Sequence, residues 1–399
     1  MEPLSPDAWS LDPDVVFLNH GSFGACPAPV RQAQDRWRAR LEAEPVRFFT
    51  RELEPALDAA RAQVAAFVGA APEDFAFVRN ATAGCNAVLR SLDLAPGDEI
   101  VVTQHGYPAV THAARHVCER AGARLVTAQV PFPLVGPAAV QSAMRDALST
   151  RTQLVLVDWI TSPTALVLPV ADIVRECAAR GSDVLVDAAH AAGMVDVDCG
   201  SLGAAYVTGN LHKWVCAPKG AAFLVVRRDR QAGLQPAVLG HGLASRRAAA
   251  GLRSAFHDAF DWCGTDDPTP WLAVPQALEF LGTLLPGGWP ALRARNRELA
   301  LAARRLLGTR LGVEEPAPAS MVGCMAAVPL PPGGPPAAPS GPLYVDPLQG
   351  PLYDVHRIQV PIVPFPAPPA RLVRVSAQAY NGFADYARLA DALEATLSR

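Results

Sequence analysis

Lysine is almost missing from this chain. Of 35 basic residues among 399, Lys213 and Lys219 are the two lysines and the other 33 are arginines. Arginine stays protonated in a protein, whereas lysine can shed its proton, and only a neutral amine condenses with an aldehyde. A lysine kept where arginine serves every ordinary need for a cation is a candidate for chemistry that arginine cannot do; chance survival in a biased composition is the bland alternative. Long blocks of one charge are also missing. The net charge is −3, with acids and bases interleaved, so nothing marks a nucleic-acid or anionic-membrane partner. Apolar runs such as 154–157 are far too short to span a bilayer. The start, Met1-Glu2-Pro3-Leu4-Ser5-Pro6, has no charged region followed by an apolar one, so a signal peptide is not expected and a cytoplasmic location is. The eight cysteines are scattered without a Cys-x-x-Cys pair, which argues against a zinc site or a disulfide framework and for small buried hydrophobes.

What is present suits a compact folded protein, with 50% hydrophobic and 18% charged residues. The length suggests two or three domains. From about 75 to 226, short β-rich runs alternate with amphipathic stretches. Strands are expected at 75–78, 100–103, 125–128, 154–158, 184–187, 205–208 and 221–226, and helices at 108–121, 138–148 and 170–180. Several of the strand runs are unbroken apolar stretches, as in strands covered on both faces. This alternation predicts an α/β fold whose large domain holds a mostly parallel seven-stranded sheet between helices. Ligands of such sheets lie beyond the carboxyl ends of the strands, so residues just after each strand carry the most weight. Segments 29–42, 52–68, 271–285 and 289–311 read as helices, and the Pro/Gly-rich run 328–342 reads as loop. The chain closes with a strand at 372–376 and a helix at 384–397. Residues 21–285 are expected to form the large domain, and 1–20 with 286–399 a smaller α+β domain.

Lys213 lies in Thr208-Gly209-Asn210-Leu211-His212-Lys213-Trp214, just past an expected strand and ahead of Ala217-Pro218-Lys219-Gly220-Ala221. Upstream, another expected strand ends in Asp187-Ala188-Ala189-His190. An aspartate at a strand's carboxyl end with an unreplaced lysine downstream is what pyridoxal 5′-phosphate chemistry needs. The carboxylate keeps the pyridine nitrogen protonated, and that cation draws electrons from the substrate carbon. Alone, Asp187 would read as a helix cap after a buried strand; with Lys213 beside it, the cofactor reading is preferred. A third element, Arg79-Asn80-Ala81-Thr82-Ala83-Gly84-Cys85-Asn86, joins the first strand to a helix expected at 85–92. Its small residues let backbone N–H groups close on a phosphate at the helix's positive end, although a plain turn and cap would look the same.

With these segments stand Leu18-Asn19-His20-Gly21-Ser22-Phe23-Gly24, Thr161-Ser162-Pro163-Thr164-Ala165, Phe260-Asp261-Trp262-Cys263-Gly264-Thr265 and Arg374-Val375-Ser376-Ala377-Gln378-Ala379-Tyr380-Asn381. Together they resemble the fold-type I pyridoxal phosphate enzymes of the class V aminotransferase family, within it the isopenicillin N epimerase-like group, over almost the whole chain. The resemblance implies that Lys213 holds the cofactor and later moves protons at the substrate Cα. Asp187 would pair with the pyridine nitrogen, and His190 would hydrogen-bond the phenolic oxygen. Thr82, the Ala83 and Gly84 backbone, and Asn210 or Thr208 would hold the phosphate. Either Tyr107 or His105, from Gln104-His105-Gly106-Tyr107, would stack on the cofactor, and that segment could supply a second acid opposite Lys213. Arg374 would take the substrate carboxylate in a two-pronged pair, with Asn19 and Ser162 also at the substrate. Gly264 and Thr265 would reach the neighbouring subunit's phosphate, which implies a homodimer with shared sites. His20, His212 and His241 read as caps or satisfied core histidines.

The chemistry shared by this family is loss of the α-proton, after which geometry decides among reprotonation on the opposite face, transamination and expulsion of a β-substituent. The resemblance points first to an amino-acid epimerase or racemase. A carbon–sulfur β-lyase acting on a cysteine conjugate or sulfoxide comes next, then an aminotransferase. A cofactor-free binding relative is the non-enzymatic alternative, and the retention of Lys213 speaks against it. A persulfide-forming desulfurase would need a cysteine shortly before Arg374. Residues 358–373 hold none, and Cys324 reads as part of a buried strand.

Overall fold

A computed structural model describes residues 1–334 and 345–398. Its strands, in chain order, are β1 (Val16–Phe17), β2 (Phe75–Val78), β3 (Glu99–Thr103), β4 (Arg124–Ala128), β5 (Thr152–Asp158) and β6 (Asp183–Asp187). They continue with β7 (Tyr206–Asn210), β8 (Ala222–Val226), β9 (Met325–Leu330), β10 (Ile358–Gln359), β11 (Ile362–Pro364) and β12 (Arg371–Ser376). The order β2-β8-β7-β6-β5-β3-β4 forms one seven-stranded sheet. Each strand expected between 75 and 226 is in it, with ends moved by no more than two residues. β8 runs antiparallel to both neighbours, β2 and β7, while the other pairs are parallel. The reason is the link between β7 and β8: residues 211–221 hold no crossover helix, so the chain doubles straight back. That link carries Lys213.

Alternation along the strands fills two cores. Ile100, Val102, Leu154, Leu156 and Leu185 pack with Val88, Leu89, Val110 and Ala114 of the helices Ala81–Arg90 and Pro108–Ala121. Their neighbours Val101, Val155, Val157, Val184 and Val186 face the other way, onto Leu57, Val64, Met144 and Ile173. Burial on both faces explains why these strands are apolar without a break. It also fixes register, because a one-residue slip would exchange the two cores.

Three expectations change. The helix after β2 begins at Ala81, four residues before the expected 85, because Asn80 caps it by accepting the Ala83 N–H at 2.8 Å. The expected helix 271–285 is two, Thr269–Leu272 and Val274–Gly282, each opening with a proline in its first turn. Residues Val328–Leu330 of the expected loop 328–342 are strand, paired with β12. β9 is an edge strand in the order β11-β12-β9, where the missing N–H of Pro329 is tolerated. Residues 331–334 belong to no element, and 335–342 lie outside the described residues.

The antiparallel sheet β11-β12-β9 is covered by Gly288–Leu311 and Phe383–Leu397, whose Leu299, Leu307, Leu389 and Leu393 meet Val328, Val373 and Val375. β1 pairs with β10, which ties the first twenty residues to the last third of the chain. Among the described residues no helix is long and apolar enough to cross a membrane.

Candidate active site

The carboxyl ends of β5, β6 and β7 lie side by side, with Asp158 paired to Asp187 and Asp187 to Thr208. Both aspartates are buried. Asp187 Oδ1 accepts the Ala189 N–H at 2.9 Å, while Oδ2 faces the Cys85 thiol at 4.0 Å. Burial raises both carboxyls above the usual range, Asp158 strongly so because the Asp187 charge adds to it; Lys213 pulls both back. Two buried acids with so little opposing charge make a place where a further cation is stabilised. A protonated pyridine fits that need, and Asp187 Oδ2 is positioned as its acceptor.

Lys213 and Trp214 follow β7, and His190 follows β6. The Trp214 indole N–H donates to His190 Nδ1 at 3.2 Å, and His190 Nε2 lies 3.1 Å from Lys213 Nζ. Burial brings the Lys213 amine down to about 8, helped by the Arg374 charge and opposed by Asp187 and Asp158. Burial also holds His190 well below the ordinary imidazole range, with Lys213 adding to the effect. The loop is fixed from behind. His20 Nε2 is 3.0 Å from the Lys213 carbonyl and Nδ1 is 2.8 Å from the Tyr380 hydroxyl, with the imidazole pushed down to about 3 by burial. His212 Nδ1 meets the Ala221 carbonyl at 3.1 Å. Both rings brace the lysine loop.

Arg374 reaches the cleft from β12. Nη1 donates to the Ser162 carbonyl at 2.6 Å and its hydroxyl at 3.0 Å, and Nη2 donates to the Ser22 hydroxyl at 3.0 Å. Ser22 in turn donates to Asn19 Oδ1 at 2.5 Å. Burial lowers the guanidinium to about 10, and Nε has no acceptor among the described residues. A guanidinium this deep, held by neutral oxygens, is suited to receive a carboxylate. The structure thus joins Asn19, Ser22, Ser162 and Arg374 from three distant parts of the chain.

At the start of the helix Ala81–Arg90 the N–H groups are partly taken. Asn210 Oδ1 accepts from Ala81 at 2.9 Å, Asn80 Oδ1 from Ala83, and the Asn80 carbonyl from Gly84 at 3.2 Å. The Ala83 and Gly84 N–H groups, expected to grip a phosphate, here serve the helix's own first turn. Thr82 stands half-buried on the first turn. Thr208 is also withdrawn as a phosphate ligand: its buried hydroxyl donates to the Phe223 carbonyl at 2.7 Å and fills the space beside Gly84 that a Cβ would need. Gly264 and Thr265 are exposed and line a cavity of about 140 Å³ with Arg79, Ala83, Phe260 and Trp262 of the same protomer.

Of the two candidate rings, His105 is corrected. It is fully buried, Nδ1 is 2.8 Å from Thr164 Oγ1 and Nε2 is 3.1 Å from the Val130 carbonyl, and its ring packs on Phe365 and Phe132. It has neither a free nitrogen nor an open face for a ligand. Tyr107 is 39% exposed; its amide faces the Asp158 carboxylate, and its hydroxyl lies within electrostatic reach of Arg374. Sequence reasoning missed Asp158 and Trp214. The rule that found Asp187, an acid closing a buried strand, applies equally to Asp158. Cys324 is fully buried, its thiol against the Met194 and Arg293 carbonyls at 3.7 and 3.9 Å.

Residues 27–316 match the family described as aminotransferase class-V. The chain is 35% identical over 395 residues to an isopenicillin N epimerase of Streptomyces clavuligerus, covering 96% of each. It is 32% identical over 403 residues to a probable chloroplastic L-cysteine desulfhydrase of Arabidopsis thaliana, covering 96% of this chain and 83% of the relative. Among solved structures, a cysteine desulfurase from Escherichia coli superposes with a TM-score of 0.77 at 19% identity, covering 98% of this chain and 97% of the other. A cystine C–S lyase superposes with a TM-score of 0.73 at 20% identity, covering 96% and 97%.

Proposed function

The chain belongs to the class-V aminotransferase family and is a pyridoxal-phosphate-dependent enzyme, and from that premise we propose that it removes the α-proton of an amino acid whose carboxylate rests on Arg374, with Lys213 as anchor and base. One observation carries this: an amine brought down to about 8 shares a buried site with the acid Asp187 and with a guanidinium that no carboxylate among the described residues pairs. Bound there, pyridoxal phosphate supplies an electron sink for the charge left at Cα. Asp187 Oδ2 would accept the ring N–H, and His190 would lie toward the phenolic oxygen. Thr82 and the positive helix end, with the Asn210 amide beside them, would hold the phosphate. Tyr107 would cover the ring. Arg374 trades serine oxygens for the substrate carboxylate, which holds Cα within reach of the Lys213 amine.

Epimerisation or racemisation is the first reading. It needs a proton donor on the face away from Lys213, and the Tyr107 hydroxyl, with no side-chain partner in the described structure, suits that role. The 35% identity to an isopenicillin N epimerase supports it. Carbon–sulfur β-elimination is the second reading, supported by the 32% identity to a desulfhydrase; it needs no second acid. Cys324, sealed in the core, gives no support to a persulfide-forming reaction. A homodimer is part of the proposal, supported by exposed Val238, Leu239, Leu243 and Leu252 in the stretch leading to Gly264.

The test incubates purified holoenzyme with L-amino acids and cysteine conjugates in D₂O. Deuterium at Cα with inversion identifies an epimerase, and release of pyruvate or a thiol identifies a lyase. No exchange and no release with any of them, by enzyme shown to hold its cofactor, refutes the proposal.

A further inference from the structure

We propose that Trp214 is a positioning residue that sets which nitrogen of His190 carries the proton, so that His190 donates to Lys213 and favours its neutral amine. The inference deepens the proposed role of Lys213 and rests on it. An indole nitrogen can only donate, and Trp214 Nε1 points at His190 Nδ1 from 3.2 Å. Nδ1 must therefore present its lone pair, and in a neutral ring the proton sits on Nε2. Nε2 lies 3.1 Å from Lys213 Nζ. An ammonium has no lone pair to accept with, so this contact is completed only by the neutral amine. The chain of donors runs one way, from indole to imidazole to amine.

The surroundings favour the same state. Trp214 is fully buried, which fixes the indole and keeps water from the Nδ1 side. Arg374 on β12, with His20 and His212 beside the loop, opposes a second positive charge on His190; Arg374 does the same to Lys213, while Asp187 and Asp158 at the strand ends favour the ammonium. Against those two acids, burial and Arg374 favour the neutral form, and an N–H donated by His190 adds to them. Without the indole N–H, Nδ1 could take the proton, and Nε2 would then accept from the lysine ammonium. The direction of the hydrogen bond would reverse.

The experiment uses the full-length chain, ¹⁵N-labelled at histidine and stripped of cofactor, with Trp214→Phe as the variant that keeps an aromatic ring but loses the N–H. In the wild type, ¹⁵N shifts of His190 should report an Nε2–H ring. In the variant the two tautomers should mix, and the midpoint at which Lys213 reacts with pyridoxal phosphate should rise by about half to one pH unit, the scale of one net hydrogen bond. A wild-type Nδ1–H ring would overturn the inference, as would a variant with tautomer and midpoint unchanged. Should Trp214→Phe not fold, the wild-type spectrum alone decides. Cofactor attached at a residue other than Lys213, with His190 still Nε2–H, would sink the functional reading and leave the hydrogen-bond assignment standing.

Discussion

Consider the cofactor-free chain carried through a pH series while its capture of pyridoxal phosphate is timed. Capture requires a neutral amine. Burial brings Lys213 from the ordinary 10.5 down to about 8. At pH 7 a group with a midpoint of 8 is about one-eleventh neutral, against about one in three thousand for an ordinary lysine, a difference of roughly 300-fold. The sign follows directly: protonation removes the nucleophile, so capture slows as pH falls through about 8, close to tenfold per unit below 7, and levels off above 9. Stopped-flow absorbance reads the rate, and borohydride reduction followed by peptide mass analysis reads the site. With two lysines in the chain, the site assignment is a choice between two peptides. Lys219 lies at the surface and donates to the Gly24 carbonyl at 2.9 Å. A midpoint near 10.5, or an adduct on Lys219, would refute the reasoning.

Lys213→Arg should leave the melting curve in place and abolish turnover, because arginine cannot condense with an aldehyde; measurable activity in that variant would end the assignment. Asp187→Asn should cost about 10²–10³ in kcat, the scale of one lost charge-stabilising partner, and loosen cofactor binding; a rate within twofold of wild type would rule out its pairing role. Arg374→Ala should lower kcat/KM about 10- to 100-fold, mostly through KM, and leave the bound cofactor's absorbance unchanged; kinetics indistinguishable from wild type would remove it from substrate recognition. Thr208→Val should cost about 1 kcal/mol of stability by removing the hydrogen bond from its hydroxyl to the Phe223 carbonyl, with cofactor affinity intact; a fall in affinity would return Thr208 to the phosphate site.

The large sheet was readable because its strands are buried on both faces, so that unbroken runs such as Leu154-Val155-Leu156-Val157 mark them without any need for alternation. The antiparallel turn at β8 was less visible, since Ala222–Val226 is as apolar as its parallel neighbours, and only the lack of a helix in 211–221 gives it away. Strand β9 was read partly as loop because Pro329 and the prolines after it dominate the local composition; edge position, a tertiary fact, is what admits a proline there. The two-residue pairing of β1 with β10 joins positions more than 300 apart and leaves no local trace.

The site divides along the same physical line. Asp187 and Lys213 could be picked out because each residue type is demanded by a charge or a proton at or just past a strand end, and strand ends are legible; Arg374, inside β12, could be picked out only through the resemblance of its segment. Tyr107 and His105 stand two positions apart on one loop, and nothing local separates them. What separates them is the partner each finds across the fold: His105 meets Thr164 and Val130, while Tyr107 turns its amide to Asp158 and keeps its ring partly exposed within electrostatic reach of Arg374. Thr208 and Asn210 differ for the same reason. Both point off β7 toward the first turn of one helix, but Thr208 finds the Phe223 carbonyl within the sheet and Asn210 finds the Ala81 N–H. A polar side chain's residue type says what it can bond; its availability for a ligand is decided by whether the protein has already satisfied it. By that criterion Arg374 Nε, which has no acceptor among the described residues, is still open at the site, and a lysine substitution there is informative. Arg374→Lys keeps the charge and removes the fork, so if the fork is what orients the substrate, KM should rise about tenfold or more, whereas a variant that binds substrate as tightly as wild type would show that charge alone suffices.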